Sequence, residues 1–507
     1  MKYPSPVRHA PSSGSPASSL SRRSFLAGLA AVPVLTALGC TPRATGSDTG
    51  LRPLPIPPLA PSTVDADGMR HFTLTAAPGT TEMLPGKQTP TWGFNGSVLG
   101  PTVRARRGEQ VGFTIANRLP ETTSVHWHGM HVPARFDGGP HQSIEPGGRW
   151  TPGWTIDQPG ATLWYHPHPH GSTEKHAYRG LAGMFIVDDA DTDAAGLPRD
   201  YGVDDIPLIV QDRRFTADGR LDESTSSDVG LLGDTVVTNG IAGTYLDIAA
   251  PRVRLRILNG SGGRIYNFGL ADGGEFSMIA GDGGLLPRPV SLTRLVLSPG
   301  ERAEIVVPVG SSPVRLRAFP IDAAHGGNSR EAADFGFTDT FDVLELRPAG
   351  TRTGAPALPA TLTTIARLHP AQAVARRRFD LQWYMINGER MDMNRIDHVS
   401  TVDTTEVWTV RNRDNWPHNF HVHDTQFQIL DIDGQAPPPH LAGWKDTVYT
   451  PRGAKVRLIM KFSDYADPTL PYMYHCHLML HEDKGMMGQF LVLCPGQRAA
   501  PKKMPAH

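Results

Sequence analysis

Apolar and polar residues alternate in three segments of the chain, residues 110–117, 253–259 and 405–412. A period of two places alternate side chains on opposite faces of an extended backbone, which is typical of a half-buried strand. All three segments end in asparagine, which favours turns because its side chain bonds the nearby backbone. The pattern therefore predicts three equivalent strands, each running directly into a turn.

The same order of elements precedes each of these strands. Asn-Gly pairs stand at 95–96, 239–240 and 387–388, at nearly equal intervals. Repetition on this scale indicates three related sections. We expect an all-β chain of three β-sandwich domains at residues 52–189, 204–347 and 376–495, with a Pro/Ala/Thr-rich connection before the third. The 53 glycines and 46 prolines among 507 residues fit such a turn-rich architecture.

The start of the chain predicts export. Residues 21–26, Ser-Arg-Arg-Ser-Phe-Leu, resemble a twin-arginine signal, and the apolar stretch 27–38 is short for a membrane span. Residues 37–40, Ala-Leu-Gly-Cys, resemble a lipoprotein box, so Cys40 is a candidate lipid anchor; the alternative is ordinary cleavage nearby. We expect a protein of the periplasm or cell surface. The formal net charge of −1 excludes a strong electrostatic attraction to nucleic acid.

The chain has three cysteines, Cys40, Cys476 and Cys494. If Cys40 is acylated and Cys476 binds metal, no disulfide pair remains and the core must stabilise the fold. Free cysteine packs like a small apolar residue, so we expect Cys494 to be buried near the last strand.

Four short clusters hold more than half of the 21 histidines: 126–128 (His-Trp-His), 166–170 (His-Pro-His-Pro-His), 418–423 (His-Asn-Phe-His-Val-His) and 475–486, which begins His-Cys-His and ends in Met. Histidines two apart on a strand share a face and can bind one metal ion or bridge two. Cysteine, histidine and methionine are the ligands of blue copper sites, with methionine as the weak axial ligand. Zinc is the alternative, but structural zinc sites prefer four closed nitrogen and sulfur ligands.

These four clusters, in this order, resemble the motifs of the multicopper oxidases over nearly the whole chain after the export segment. Residues 443–448 (Gly-Trp-Lys-Asp-Thr-Val) and 481–487 (His-Glu-Asp-Lys-Gly-Met-Met) are most similar to the bacterial copper-efflux, bilirubin-oxidase-like and laccase branch. The resemblance implies three cupredoxin-like Greek-key domains. The middle domain would act as a spacer without copper.

The resemblance also implies four copper ions, with ligands at twelve positions of this sequence. The type 1 ion would take His418, Cys476, His481 and Met486; the type 2 ion His126 and His421; one type 3 ion His128, His166 and His477; and the other His168, His423 and His475. His170 has the same spacing from His168 as His166 has, so spacing alone leaves that choice open.

The implied activity is one-electron oxidation of four donor molecules coupled to four-electron reduction of O2 to water. Asp137 and Glu482 match acidic residues that relay protons in the copper-efflux oxidase; orienting a ligand histidine is the alternative role. Phenols or other aromatic donors are the expected substrates, and the protein is expected to be a monomer. Trp416 could dock the donor or simply cover the copper.

Three alternatives stay open. A cuprous oxidase is one, although residues 351–378 lack the methionines that bind Cu(I) in such enzymes. A structural cell-division relative of the same fold is another, although such relatives lose copper ligands. A copper-binding protein without turnover is the third.

Overall fold

A computed structural model describes residues 50–224, 227–350 and 357–503. The expected export signal and Cys40 lie outside the described residues. Among those that are described, no helix is long and apolar enough to cross a membrane.

The first section contains two sheets. One has the order β2-β3-β6-β8, in which β4 also pairs with β3 and β9 also pairs with β6. The other has the order β5-β11-β10-β7. Their strands are β2 (Ser62–Val64), β3 (Arg70–Leu84), β4 (Lys87–Phe94), β5 (Val103–Arg106), β6 (Gln110–Asn117), β7 (His126–His128), β8 (Arg149–Trp150), β9 (Gly153–Thr155), β10 (Ala161–His166) and β11 (Gly183–Asp188).

The second section contains a seven-stranded and a six-stranded sheet. Their strands are β12 (Asp205–Arg213), β13 (Thr235–Thr238), β14 (Ile241–Ala242), β15 (Thr244–Ile248), β16 (Arg252–Asn259), β17 (Tyr266–Leu270), β18 (Phe276–Gly281), β19 (Gly284–Leu292), β20 (Leu295–Leu297), β21 (Arg302–Pro308), β22 (Val314–Phe319) and β23 (Phe341–Pro348). The first strand among the described residues, β1 (Arg52–Pro53), also joins this section, where it pairs in parallel with β15. The Arg52 guanidinium donates to the carbonyls of Glu82 and Met83 in the first section.

The third section contains two five-stranded sheets, β25-β24-β27-β31-β29 and β26-β33-β32-β28-β30. Their strands are β24 (Ala373–Gln382), β25 (Met385–Ile386), β26 (His398–Thr401), β27 (Thr404–Asn412), β28 (His418–Val422), β29 (Phe427–Ile432), β30 (Thr447–Thr450), β31 (Lys455–Phe462), β32 (Tyr472–His475) and β33 (Met487–Leu493).

The described helices are short. They are α1 (Thr173–Tyr178), α2 (Ala190–Ala194) and α3 (Met479–Asp483), with 3-10 turns at Ala134–Phe136, Pro140–Gln142, Ala323–His325, Pro370–Gln372 and Pro439–Leu441. The all-β prediction is therefore confirmed.

The three alternating segments form β6, β16 and β27, each paired in parallel with the first long strand of its own section. Each ends as predicted in a turn. The Oδ1 atoms of Asn117, Asn259 and Asn412 accept the N–H of the residue two positions on.

The asparagines of the Asn-Gly pairs also act identically in all three sections. Asn95, Asn239 and Asn387 have φ of 55°, 48° and 55°, the left-handed region that asparagine tolerates. Each accepts a backbone N–H and donates to a carbonyl two residues earlier on one neighbouring strand. The sequence repeat therefore corresponds to one hydrogen-bonding arrangement, in which an asparagine side chain links its turn to a neighbouring strand.

One prediction about the core is wrong. Cys494 is exposed, because β33 ends at Leu493 and the chain turns outward there. Its N–H donates to the Gln497 side chain.

Candidate metal centre

Three buried side chains of the third section form one cluster, called here the sulfur site: His418, Cys476 and His481. His418 opens β28, Cys476 directly follows β32, and His481 lies on α3. The Cys476 Sγ lies 3.7 Å from His418 Nδ1 and 3.5 Å from His481 Nδ1. Met486 is also buried and belongs to the same hydrophobic core. Its carbonyl accepts the Cys476 N–H at 3.1 Å.

Hydrogen bonding fixes which ring nitrogen of His481 is free to bind metal. The Asp228 carbonyl can only accept, so His481 Nε2 donates to it at 2.8 Å. In a neutral ring the Nδ1 lone pair then points at the cysteine sulfur. Burial raises the pKa of the Cys476 thiol to about 12, so metal binding must displace its proton.

Eight buried histidines form a second cluster, called here the histidine cluster: His126, His128, His166, His168, His421, His423, His475 and His477. Strand pairing brings four of these eight histidines together in two pairs. His126 lies opposite His166 on β7 and β10 of the first section, and His421 lies opposite His475 on β28 and β32 of the third. The cluster therefore forms where the first and third sections meet.

Backbone carbonyls set the tautomers in the histidine cluster. Four rings direct Nδ1 at a carbonyl oxygen, which can only accept: His126 at Asp137, His166 at Pro167, His421 at Asp446 and His475 at Cys476. Burial lowers the pKa of each, to about 3 for His126 and about 4 for His475, so the rings are neutral. Their Nε2 atoms consequently present lone pairs to the interior.

Several ring nitrogens of the histidine cluster have no hydrogen-bond donor to accept from. His126 Nε2, His421 Nε2 and His128 Nδ1 are buried and find no hydrogen-bond partner in the described part of the chain. The Nε2 atoms of His168 and His423 each lie 3.2 Å from His475 Nε2. A buried acceptor without a donor is costly, and a cation at the centre would relieve the cost. The residues fit copper, a metal that imidazole binds well.

The structure brings several of the expected ligands close together. His168, His423 and His475 form a triple, and His126 and His421 share another with His423. His166 Nε2 lies 3.5 Å from His477 Nε2, and His128 shares a triple with His166 and His126. His170 is exposed, in contrast to the buried His166 and His168.

Cys476 connects the two clusters covalently, since its two neighbours in sequence both belong to the histidine cluster. Asn419 holds this segment in place: its Oδ1 accepts the His477 N–H at 2.5 Å, and its Nδ2 donates to the Pro299 carbonyl.

Asp137 and Glu482 both contact the outer nitrogens of cluster histidines. Asp137 Oδ2 lies 2.7 Å from His423 Nδ1. Glu482 lies 3.2 Å from the Nδ1 atoms of both His168 and His475 and accepts from the Thr173 hydroxyl. Burial raises the pKa of both carboxyls well above the usual range, with a further contribution from Asp424 at Asp137 and from Asp483 at Glu482.

Sequence reasoning missed Asp446 of the third section and two residues of the second section, Gly300 and Arg302, as neighbours of the cluster. Asp446 lies 3.0 Å from His128 Nε2, and the buried Arg302 of the second section donates twice to Asp446. Gly300, at φ +85°, approaches the cluster so closely that a Cβ there would lie 3.1 Å from both His128 and His477. Asp446 stands in the quoted motif 443–448. Arg302 carries no sequence signal, because its section has no histidine cluster.

Comparisons with known proteins agree with this geometry. Two family models, both described as multicopper oxidase, match residues 75–192 and 358–494. The multicopper oxidase mco of Staphylococcus haemolyticus is 34% identical over 450 residues, covering 88% of this chain and 94% of the relative. The cell division protein FtsP of Escherichia coli is 35% identical over 486 residues, covering 94% and 99%.

Among solved structures, the multicopper oxidase from Pediococcus acidilactici superimposes with a TM-score of 0.80 at 34% identity, covering 90% of this chain and 94% of that one. The expected cupredoxin-like Greek-key sandwiches are thereby confirmed. Buried donor clusters, family models and relatives that span the chain lead to one conclusion: this protein is a member of the multicopper oxidase family.

Proposed function

We propose that this protein is an oxidase that takes single electrons from phenols or other aromatic donors and reduces O2 to water. The observation that carries the proposal is the pair of buried donor clusters joined through Cys476. All twelve expected ligand residues are present and buried.

The sulfur site with Met486 would hold one copper ion, and the histidine cluster would hold three. Bound copper would supply one-electron redox chemistry at the sulfur site and, at the histidine cluster, the reduction of one O2 to two waters by four electrons and four protons. Each phenol loses one electron and one proton, so four phenols balance one O2 and two waters.

The chain supplies the connection and the proton carriers. Cys476 lies one peptide unit from a histidine of the other cluster on either side, which gives electrons a short covalent route. Asp137 and Glu482 are buried carboxyls whose raised pKa favours a held proton. We propose that they pass protons inward, and their contacts with ligand histidines would orient those rings as well.

The similarity to FtsP makes a structural role the main competitor. Copper analysis and oxygen uptake separate the two. After reconstitution, the proposed oxidase contains four copper ions, shows a blue band at about 600 nm and consumes O2 with 2,6-dimethoxyphenol. A protein that binds little copper and consumes no O2 would be a structural relative instead; full copper without turnover would indicate a copper-binding protein.

Cuprous oxidation is the second candidate activity. A cuprous oxidase would be expected to need added Cu(II) for rapid turnover of 2,6-dimethoxyphenol, whereas the proposed phenol oxidase would not. Measuring the rate with and without added Cu(II), after complete loading, decides between them.

We also propose that the protein is exported through the twin-arginine pathway as a monomer and can be anchored at Cys40. Substituting the arginine pair at residues 22–23 with lysines should retain the protein in the cytoplasm. Globomycin should block maturation if Cys40 is acylated, and Cys40→Ser should then abolish the effect.

A further inference from the structure

The turn between β24 and β25 holds two aromatic residues in a strained conformation. Trp383 and Tyr384 have φ of 53° and 59°. Two consecutive residues with positive φ between paired strands are typical of a tight hairpin, where Asn-Gly is the favoured sequence. Bulky side chains are rare there, and retained strain of this kind clusters at functional sites.

The turn also exposes an indole. The side chain of Trp383 is 55% exposed, and within the described residues it is the one aromatic among the exposed large hydrophobic side chains. The other members of that group are aliphatic. A single exposed tryptophan would be unremarkable in itself, but this ring belongs to a chain of aromatic contacts.

That chain leads to the sulfur site. The Trp383 ring lies 5.4 Å from Trp416, and Trp416 lies 6.0 Å from His481. Tyr384 lies 5.1 Å from both Trp416 and His481. A planar ring stacked on this surface would therefore be separated from a ligand histidine by aromatic contacts alone.

Two hydrogen bonds tie the turn to the same site. The Trp383 N–H donates to Asp414 Oδ2 at 2.8 Å, and that oxygen lies 3.6 Å from His418 Nε2. The Tyr384 hydroxyl donates at 3.3 Å to the Asp228 carbonyl, which also accepts from His481. The backbone of the aromatic turn is thus fixed relative to both histidines of the sulfur site.

The charged groups that act on the Tyr384 hydroxyl are mostly acidic: Asp228, Asp414 and Glu174, opposed by Arg390. Burial raises the pKa of Tyr384, and the carboxylates of Asp228 and Asp414 raise it further, opposed by Arg390. An anionic donor would be repelled here, whereas an uncharged or cationic ring would not.

We propose that the aromatic turn, Trp383 and Tyr384 with Trp416 beneath, is the docking surface for planar aromatic donors that are uncharged or cationic. This inference rests on the proposed oxidase function. Each docked donor gives one electron to the sulfur site, and a phenol releases its proton to water. Trp383 and Tyr384 are then positioning residues that determine which donors are oxidised.

Trp383→Asn tests the docking role. Asparagine tolerates positive φ, so the variant should be at least as thermostable as the parent while losing the ring. Aromatic stacking of ordinary strength predicts that KM for 2,6-dimethoxyphenol rises about fivefold to tenfold. The kinetic constants for ferrocyanide, which cannot stack, should stay unchanged, and Trp383→Phe should restore most of the phenol affinity. Val374→Ala, which truncates another exposed apolar residue on β24, is the matched control.

A matched pair of donors tests the charge preference. Syringate differs from 2,6-dimethoxyphenol by an added carboxylate and should show a higher KM, with the difference shrinking at high salt because exposed charges are then screened.

The outcomes separate the two proposals. An unchanged KM in Trp383→Asn, or an equal loss with ferrocyanide, would overturn the docking role while leaving the oxidase function intact. A parent protein that oxidises neither donor when fully loaded with copper would overturn both. Equal KM values for the two matched phenols at all salt concentrations would overturn the charge preference.

Discussion

The sulfur site and the histidine cluster are built in opposite ways. The sulfur site takes its ligands from one section of the chain and is bordered by aromatic rings that reach the surface. The histidine cluster takes its histidines from the first and third sections, is bordered by buried carboxyls, and is supported by an ion pair between Arg302 of the second section and Asp446. The sulfur site therefore depends mainly on the local folding of the third section, whereas the histidine cluster depends on how the sections pack together.

Cys476→Ser should have the largest effect of the substitutions that test the difference between the two sites. Loss of the thiolate should abolish both the blue colour and turnover, because Cys494, the other cysteine among the described residues, is exposed and lies outside the site. Copper bound at the histidine cluster should remain, which metal analysis can measure. Cys494→Ser, at the exposed cysteine, is the control and should change neither property. Turnover that survives in Cys476→Ser would contradict the proposed route.

His126→Ala should have the opposite selectivity and disable the histidine cluster. Removing one ring leaves the sulfur site untouched, so the blue band should persist while O2 uptake falls to background. The absorption spectrum and an oxygen electrode provide the two readouts. His170→Ala, at an exposed neighbour of the cluster, should keep both properties. Parallel loss of colour would mean that the sites are not independently assembled.

Arg302→Met should weaken the histidine cluster from outside. Asp446 would lose its counter-charge and hold His128 less well; changes to groups that orient ligands typically cost about 10- to 100-fold in metal affinity or activity. Copper occupancy should fall at the histidine cluster with the blue band retained.

A buried carboxylate left unpaired also destabilises the fold, so Arg302→Met combined with Asp446→Asn serves as a second variant without that charge. Arg317→Met, at a more exposed ion pair of the same section, is the matched control. Full occupancy in both buried-site variants would argue that packing alone positions His128.

The smallest expected effect concerns the contact between the first and third sections. His131 lies 2.8 Å from Asp424 and 3.2 Å from Asp464. Burial alone would lower its pKa, but the two carboxylates outweigh burial and raise the pKa to about 9. Because the folded value exceeds the unfolded one, this stabilisation is complete below the ordinary histidine pKa and is lost as pH rises through about 9.

In His131→Gln, the decline of thermal stability between pH 6.5 and 9.5 should therefore be shallower than in the parent, by on the order of 1 kcal/mol. Melting curves at several pH values measure it. His71→Gln, at a more exposed histidine beside Asp65, is the control. Equal slopes of stability against pH in parent and variant would show that His131 does not cause the decline.

The strands and ligand motifs that depend on the local pattern of residues could be predicted from the sequence. The strands at 110–117, 253–259 and 405–412 were predictable from alternation, and their shared asparagines reflected a real repeat. The histidine motifs were visible because ligands two apart on a strand must share a face. Arg302 and the Asp228 carbonyl were not predictable, since neither belongs to a motif and both act across sections.

Two further features were hidden for other reasons. Cys494 follows a buried strand, and the Pro-Gly pair at 495–496 predicts a turn just after it, but the local pattern does not show that the strand already ends at Leu493. The strained pair at 383–384 reads as ordinary apolar sequence, because positive φ at an aromatic residue is set by the hairpin geometry.

The short parallel pairing of β1 with β15 has a mechanical consequence. A force applied at Gly50, where the described residues begin, would load the edge strand of the second section's six-stranded sheet and, through the Arg52 guanidinium, the first section as well. Under such a force this two-residue strand would detach first, and the buried histidine cluster would be loaded last.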